Sequence, residues 1–338
     1  MVQFTTPETI LQSQIEALLA RLPSVLDGDA DGVHDARVAT RRIRAVLPLT
    51  LEWHRRDIDE LSARFRRIGR VLGRVRDHDV RIALLSYLEA HVPTAESSLV
   101  VVRRLRERKR LRAIRKLIKR FERLEVERLL RTVPHHDWRQ FQPWTTVLGS
   151  WRLQLARTLA QRAVVAREAI DHTTGVYFPN RAHTTRIALK KFRYIAEIGE
   201  QTRVGTLDDS IRELKKSQDI LGDLHDRQVL IDKLPKMVAP EHPNISSDHV
   251  RTLVEALEAE CRELHGEYVS RRSRLLEICA AAEQSFGTQR GATAAAVATG
   301  VVALASAAYA WRRRSSATET RNEVAVRIPI DRGIRASG

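Results

Sequence analysis

A basic segment of this chain occurs twice, at a fixed offset. Residues 34–44 read HDARVATRRIR, and residues 183–193, which lie 149 positions further along, read HTTRIALKKFR. The same offset relates further pairs: Leu72-Gly73 and Leu221-Gly222, Asp77 and Asp226, Val80 and Val229, and Arg66-Arg67 and Lys215-Lys216. One offset held over so long a stretch predicts an internal duplication of a helical unit.

Each copy places its cations on one side of a helix. At about 100° per residue, the spacing i, i+3, i+7, i+10 gathers four side chains within roughly 80° of arc. The first basic stripe, as we name it, is His34, Arg37, Arg41 and Arg44, and the second basic stripe is His183, Arg186, Lys190 and Arg193. Like charges at such spacings repel by a few tenths of a kcal/mol per pair. A polyanionic partner would offset that repulsion, whereas a solvated basic face is the alternative interpretation.

Composition points to the same kind of partner. The chain has 58 Lys and Arg against 42 Asp and Glu, a net charge of +16, which favours nucleic acid, anionic lipid or another phosphate polymer. Its two cysteines, Cys261 and Cys279, argue against a disulfide framework and fit a reducing interior. The first residues lack the pattern of a signal peptide, so we expect a cytoplasmic protein.

Helical periodicity runs through most of the chain. Sparse glycine and rare β-branched alternation predict an all-α fold, with proline and glycine marking the boundaries. The predicted helices lie near 8–22, 33–51, 56–76, 78–92, 97–132, 143–172, 182–201, 207–224, 226–236 and 247–286. Each copy thus has about four principal helices, which predicts two tandem pseudo-symmetric four-helix bundles, residues 1–140 and 141–288. In residues 103–131 an apolar stripe among Arg, Lys and Glu predicts a long, solvent-exposed packing helix.

The C-terminal region differs from the rest. Residues 291–311 contain no charge, are rich in alanine and are followed by Arg312-Arg313-Arg314. A hydrophobic helix of this length is a candidate anchor to a membrane or a granule surface, and a buried or loosely packed terminal helix is the alternative. We expect residues 312–338 to form a basic, disordered tail.

The motifs resemble those of the CHAD family, the conserved-histidine α-helical domains. The first motif is His34-x-x-Arg37-Val38-x-x-Arg41-Arg42-x-Arg44, and its second copy is His183-x-x-Arg186-x-x-x-Lys190-Lys191-x-Arg193-Tyr194-x-x-Glu197. The second motif is Leu72-Gly73-x-x-Arg76-Asp77-x-Asp79-Val80, with the counterpart Gln218-Asp219-x-Leu221-Gly222-x-x-x-Asp226. These four blocks occur in the family's order, and the resemblance covers about residues 5–285.

The resemblance implies a function. In the family, the basic stripes of two bundles face a shared cleft that binds inorganic polyphosphate, and members associate with polyphosphate granules. Many members carry an N-terminal CYTH (triphosphate tunnel) domain, for which this chain has no room, so we expect a standalone, non-catalytic binding module without cofactor or metal. The candidate polyphosphate-binding residues are His34, Arg37, Arg41, Arg42, Arg44, Arg66, Arg67, Arg70, Arg74, His183, Arg186, Lys190, Lys191, Arg193, Lys215 and Lys216.

The two copies differ in charge. The second copy keeps Lys215 and Lys216 but has Asp219 and Asp223 where the first has Arg70 and Arg74. We therefore expect an asymmetric cleft that binds more strongly on its N-terminal side. Because polyphosphate carries about one charge per phosphate and offers no bases, binding should weaken steeply with salt.

Two pairs of residues allow more than one interpretation. His34 and His183 either join the phosphate clamp as imidazolium at mildly acidic pH, or hold the stripes in place through hydrogen bonds to backbone or carboxylate. For Asp77 and Asp226 we favour a structural role, because each would precede a new helix and accept its free N–H groups.

Two other functions are weighed. Asp77-His78-Asp79, His225-Asp226 and His135-His136-Asp137 superficially suggest metal ligands or a phosphohydrolase. Adjacent ligands on one helix diverge by about 100°, and the sequence has no Gly-rich phosphate loop or HExxH motif. We therefore predict no enzymatic activity, with a phosphohydrolase accessory subunit as the minor alternative. Aromatic residues make up 5% of the chain, too few to stack bases along the stripes, so nucleic acid should bind only non-specifically.

Overall fold

Helices account for all regular structure in the described part of the chain. The structure is a computed structural model and describes residues 5–50, 55–133, 147–173, 175–237 and 245–287. The prediction of an all-α fold is confirmed. The helices are Pro7–Ala20 (α1), Leu22–Leu26 (α2), Ala30–Val46 (α3), Arg55–His91 (α4), Glu96–Arg123 (α5), Val126–Thr132 (α6), Val147–Asp171 (α7), Pro179–Gln201 (α8), Asp208–Ile231 (α9) and Ser247–Gly287 (α10).

The predicted breaks near Asp77 and between residues 224 and 226 are wrong. Asp77 lies inside α4 and Asp226 lies inside α9, and both helices continue without interruption. No proline is present to remove a backbone donor at either point, and a single glycine costs an α-helix only about 1 kcal/mol. The carboxylates of these two residues therefore do not cap new helices.

The two helices that carry the basic stripes begin at equivalent positions. At α3, the Asp29 carboxylate accepts a hydrogen bond of 2.6 Å from the backbone N–H of Gly32, an N-terminal cap. At α8, Pro179 occupies the first turn, where its missing N–H costs nothing. A shift of 149 residues carries Ala30, the first residue of α3, onto Pro179, the first residue of α8. Both stripes therefore start in the first turn or two of their helices.

Each half of the described chain contains four long helices. In the first half, α1 packs on α3, α3 on α4, and α4 on α5. In the second half, α7 packs on α8, α8 on α9, α9 on α10, and α10 on α7. The same helix order in both halves supports the duplication that the sequence indicates.

The two halves share their apolar cores. One buried cluster joins Ile43 and Phe65 of the first half to Phe192 of the second, and a smaller cluster joins Leu99 to Leu253. Because fully burying a large apolar side chain contributes about 1.5–3 kcal/mol, these clusters hold the halves together. Residues Met1–Gly287 accordingly form one compact unit, in which α3 contacts α8 and α4 contacts α9.

Several predictions concern residues outside the described ranges. The proposed boundary between bundles near residue 140, the segment 291–311 and the tail 312–338 all lie there. Within the described ranges, we find no helix with the length and apolar character needed to cross a membrane.

Candidate functional site

The two basic stripes meet where α3 packs on α8. The charge of Arg186 in the second stripe acts on Arg37 in the first, and the charge of Arg41 acts on both Arg186 and Lys190. Burial, together with these like charges, lowers the pKa of Arg37 and of Arg186. The structure thus brings two cations of each predicted stripe close together, and we call the place where they meet the central cleft.

The pKa of Lys190 reflects burial and the positive charges around it. Burial lowers its pKa first, and the charges of Arg41, Arg186, Arg37 and Lys191 lower it further, to about 7. An ordinary lysine has a pKa near ~10.4, so this ammonium group is strongly disfavoured in the protein without a ligand. An anion in the central cleft would remove that penalty.

The glycines of the Leu-Gly motifs make room for the arginines. A Cβ atom on Gly73 of α4 would clash with Nη1 of Arg37. At Gly222 of α9, a Cβ atom would lie 3.6 Å from Nε of Arg186, an ordinary contact. The guanidinium of Arg37 therefore lies directly against the backbone of α4, and the motif positions a cation of the cleft.

We expect Gly73→Ala to weaken the binding of a polyanionic probe in the central cleft, and Gly222→Ala to leave it unchanged. The new methyl group must push Arg37 out of its place, and the loss of one charge-assisted contact corresponds to about tenfold in affinity. Arg186 keeps its position in the second variant. A polyphosphate titration of both variants, with thermal unfolding measured in parallel, checks this.

Gly222→Ala serves as the matched control. Both glycines lie inside helices, where alanine is more favourable by about 1 kcal/mol, so Gly222→Ala should raise the unfolding temperature. Equal affinities of the two variants for polyphosphate would contradict the role assigned to Gly73.

The first half forms a strongly cationic wall. A cleft of about 340 Å³ between α3 and α4 is lined by six arginines together with Thr40 and Asp77. These arginines are Arg37, Arg41, Arg44, Arg66, Arg70 and Arg74. Within the described residues, none of the six forms a salt bridge with a carboxylate, so their charges are available to a ligand.

The second half has a more neutral wall. The carboxylates of Asp226 and Asp219 act on Arg186 and offset part of its charge. Burial raises the pKa of Asp226 and of Asp223, although both groups lie near cations. Lys215 and Lys216 are exposed on α9 and do not neutralise this acidic side. Stronger binding on the N-terminal side remains a prediction.

Three predicted binding residues lie away from the central cleft. Arg42 Nη2 is 3.5 Å from Glu197 Oε2, and Arg193 pairs with the same carboxylate while its Nε donates a 3.0 Å hydrogen bond to Gln218. Glu197 of α8 therefore links its helix to α3 through Arg42, whereas its pair with Arg193 lies within α8. Lys191 lines a groove between α7 and α8. Arg42 and Arg193 are thus engaged with Glu197, and Lys191 faces the groove between α7 and α8.

The histidines that begin the stripes are in different surroundings. His34 is exposed, and burial of part of its ring together with Arg76 lowers its pKa. The ring of His183 lies 4.2 Å from that of His225, and Nδ1 of His183 is buried without a hydrogen-bond partner among the described residues. Burial, followed by the charges of His183 and Arg186, lowers the pKa of His225 to about 4. His225 belongs to the cleft, although the sequence analysis did not place it there.

A second basic groove of about 790 Å³ runs between α4 and α5. We call it the outer groove. It contains predicted residues Arg67, Arg70 and Arg74 and five cations that the sequence analysis did not single out: Arg81, Lys109, Arg112, Lys116 and Arg120. The four on α5 follow the spacing i, i+3, i+7, i+11, so the periodicity that revealed the stripes would also have indicated them.

The acidic and histidine residues do not assemble into a metal site in the described part of the chain. No group of three or more His, Cys, Asp or Glu side chains is close enough there to hold an ion. Asp79, one of the residues weighed as a ligand, instead pairs with Arg110, which also donates a 2.6 Å hydrogen bond to the carbonyl of Gly28.

The described chain thus has two four-helix halves with cations gathered where α3 packs on α8. Residues 9–235 match the family model of the CHAD domain, and the chain belongs to that family.

Two solved structures have the same fold. The crystal structure of the CHAD domain from the plant Ricinus communis aligns with a TM-score of 0.57 and 19% identity, covering 79% of this chain and 89% of that one. PptA from Streptomyces chartreusis aligns with a TM-score of 0.52 and 13% identity, covering 81% of this chain and 97% of that one. At these identities the likeness concerns the fold alone. Among curated proteins, none matches the chain.

Proposed function

We propose that this protein binds inorganic polyphosphate, without catalysis, in the central cleft. The observation that carries the proposal is the convergence of Arg37, Arg41, Arg186 and Lys190, where burial and then mutual repulsion lower the pKa of Lys190 to about 7. Such an arrangement raises the energy of the free protein, and a polyanion relieves it. The CHAD family is associated with polyphosphate binding in general, which supports this choice of anion.

The hydrogen-bonding groups of the cleft also favour a phosphate ligand. Nε of Arg186 is buried and has no hydrogen-bond partner among the described residues. A buried donor left unpaired costs about 1–3 kcal/mol, and a phosphate oxygen is the acceptor that a guanidinium group binds best. The cleft between α3 and α4 has no aromatic side chain in its described lining, so it offers nothing on which a base could stack.

A competition experiment tests the proposal. At physiological salt, long-chain polyphosphate should displace both single-stranded RNA and duplex DNA from the protein, because only phosphate groups are recognised and polyphosphate presents them without intervening sugars or bases. The readout is the fluorescence anisotropy of labelled nucleic acid. If nucleic acid wins by a clear margin, the protein is a nucleic-acid-binding protein and the polyphosphate proposal fails.

Binding of this kind would bring a cytoplasmic protein to polyphosphate granules. We include this location in the proposal, with residues 291–311 as a candidate anchor to the granule surface or to a membrane.

A further inference from the structure

We propose that the outer groove is a second binding track for the same polyphosphate chain, which passes from the central cleft over α4 and onto α5. This inference rests on the proposed function and deepens it, because it assigns a longer footprint to the polymer. The chemical class of ligand is a linear polyphosphate long enough to occupy both places at once.

The two cationic surfaces share a wall. Arg70, Arg74 and Asp77 line both the cleft between α3 and α4 and the outer groove. Arg66 lies on the cleft side of α4, and its neighbour Arg67 lies on the groove side. A flexible polyanion can therefore cross α4 while it remains in contact with cations.

Cations line the outer groove along its whole length. From Arg67 to Arg81 on α4 it extends over about 21 Å, at the helical rise of ~1.5 Å per residue. Eight of its thirteen lining residues are Arg or Lys, and Asp77 is the carboxylate among them. Of these eight cations, none forms a salt bridge with a described carboxylate, unlike Arg103 and Arg110 on the same helix α5, which pair with Glu89 and Asp79.

Helix α5 carries cations on two sides, but only one side faces the groove. Lys109, Arg112, Lys116 and Arg120 line it, whereas Arg104, Arg108, Arg115 and Lys119 are exposed and do not. Repulsion within the groove row costs a few tenths of a kcal/mol for each pair, a cost that a bound chain would offset. The second set provides a matched control, because it has the same number of charges on the same helix.

The experiment compares two fourfold glutamine variants of the full chain. The groove variant is Lys109→Gln, Arg112→Gln, Lys116→Gln and Arg120→Gln, and the control variant is Arg104→Gln, Arg108→Gln, Arg115→Gln and Lys119→Gln. Glutamine keeps a helix propensity close to that of Lys and Arg, so both variants should fold, as circular dichroism will show. Each is titrated with long-chain polyphosphate and with tripolyphosphate, which is too short to occupy both surfaces.

We expect the groove variant to lose about tenfold or more in affinity for the long chain, and little for tripolyphosphate. For this variant, the slope of log K against log salt concentration should become shallower by about 3, because each of the four lost contacts contributes about 0.7 to the slope. In the control variant, both the affinity for the long chain and the slope with salt should change less. Equal losses in the two variants would overturn the second track. If the unmodified protein binds neither polymer, the proposed function itself fails.

Discussion

Reversing the charges of Arg41 and Arg66 should weaken polyphosphate binding more than about 100-fold. Both arginines line the cleft between α3 and α4, and each is free of a salt bridge with the described carboxylates. A charge-assisted contact contributes about 1.5–3 kcal/mol, so the loss of two contacts exceeds about 3 kcal/mol before repulsion is added. Isothermal titration of Arg41→Glu/Arg66→Glu with long-chain polyphosphate measures the effect.

The equivalent change in the second half should have a smaller effect. A shift of 149 residues carries Arg41 to Lys190 and Arg66 to Lys215, so Lys190→Glu/Lys215→Glu changes the formal net charge by the same amount. We expect a loss nearer tenfold, because carboxylates already offset part of the charge on this wall and Lys190 is only partly protonated near pH 7. Equal losses in the two variants would contradict the asymmetry.

A third variant distinguishes direct contacts in the central cleft from attraction by the protein's overall charge. Arg157 on α7 and Arg262 on α10 are exposed, away from the cleft and without a salt bridge among the described residues. Arg157→Glu/Arg262→Glu changes the net charge as much as either cleft variant. If it lowers the affinity as far as Arg41→Glu/Arg66→Glu does, the overall charge and not the central cleft determines binding.

Polyphosphate affinity should fall as the pH rises above 7. Lys190 has a pKa of about 7 in the free protein, where burial and the charges of Arg41, Arg186, Arg37 and Lys191 disfavour its ammonium form. A bound polyanion favours that form and raises the pKa, so binding takes up a proton at any pH between the two values. Linkage between proton binding and polyphosphate binding then predicts that the affinity decreases by up to about tenfold per pH unit.

Calorimetry at pH 8–9 in buffers of different ionisation enthalpy measures the proton uptake. Burial and neighbouring charges lower the pKa of His34, His183 and His225, so these rings are neutral in that range. Lys190→Arg is the control, because a guanidinium stays charged throughout. It should abolish most of the uptake and bind more tightly than the natural protein at pH 9. Unchanged uptake in Lys190→Arg would show that another group is responsible.

Much of the site can be predicted from spacing on a helix. The repeated spacing of Arg37 and Arg41, and of Arg186 and Lys190, is a local property, since about 3.6 residues per turn decides which side chains share a face. The same holds for the apolar residues on the neighbouring face of each helix, which α3 and α8 bury in the core. The all-α fold and the existence of two cationic stripes therefore depend on local sequence.

Other features depend on which helices touch. Arg193 has the spacing of a stripe residue, but Glu197, one turn further along α8, pairs with it and with Arg42 of α3. The role of Gly73 as a space for Arg37 exists only because α4 packs against α3. Periodicity within one helix contains no information about such contacts.

By itself, the sequence determined the helical class of the fold and the faces on which charge accumulates, because those follow from local periodicity and composition. Only the tertiary structure decided that burial and nearby charges such as Arg41 lower the pKa of Lys190 to about 7, and that α5 faces α4 across a cationic groove. Electrostatic coupling depends on distance in space and on burial, and both arise when the shared apolar cores bring distant segments together.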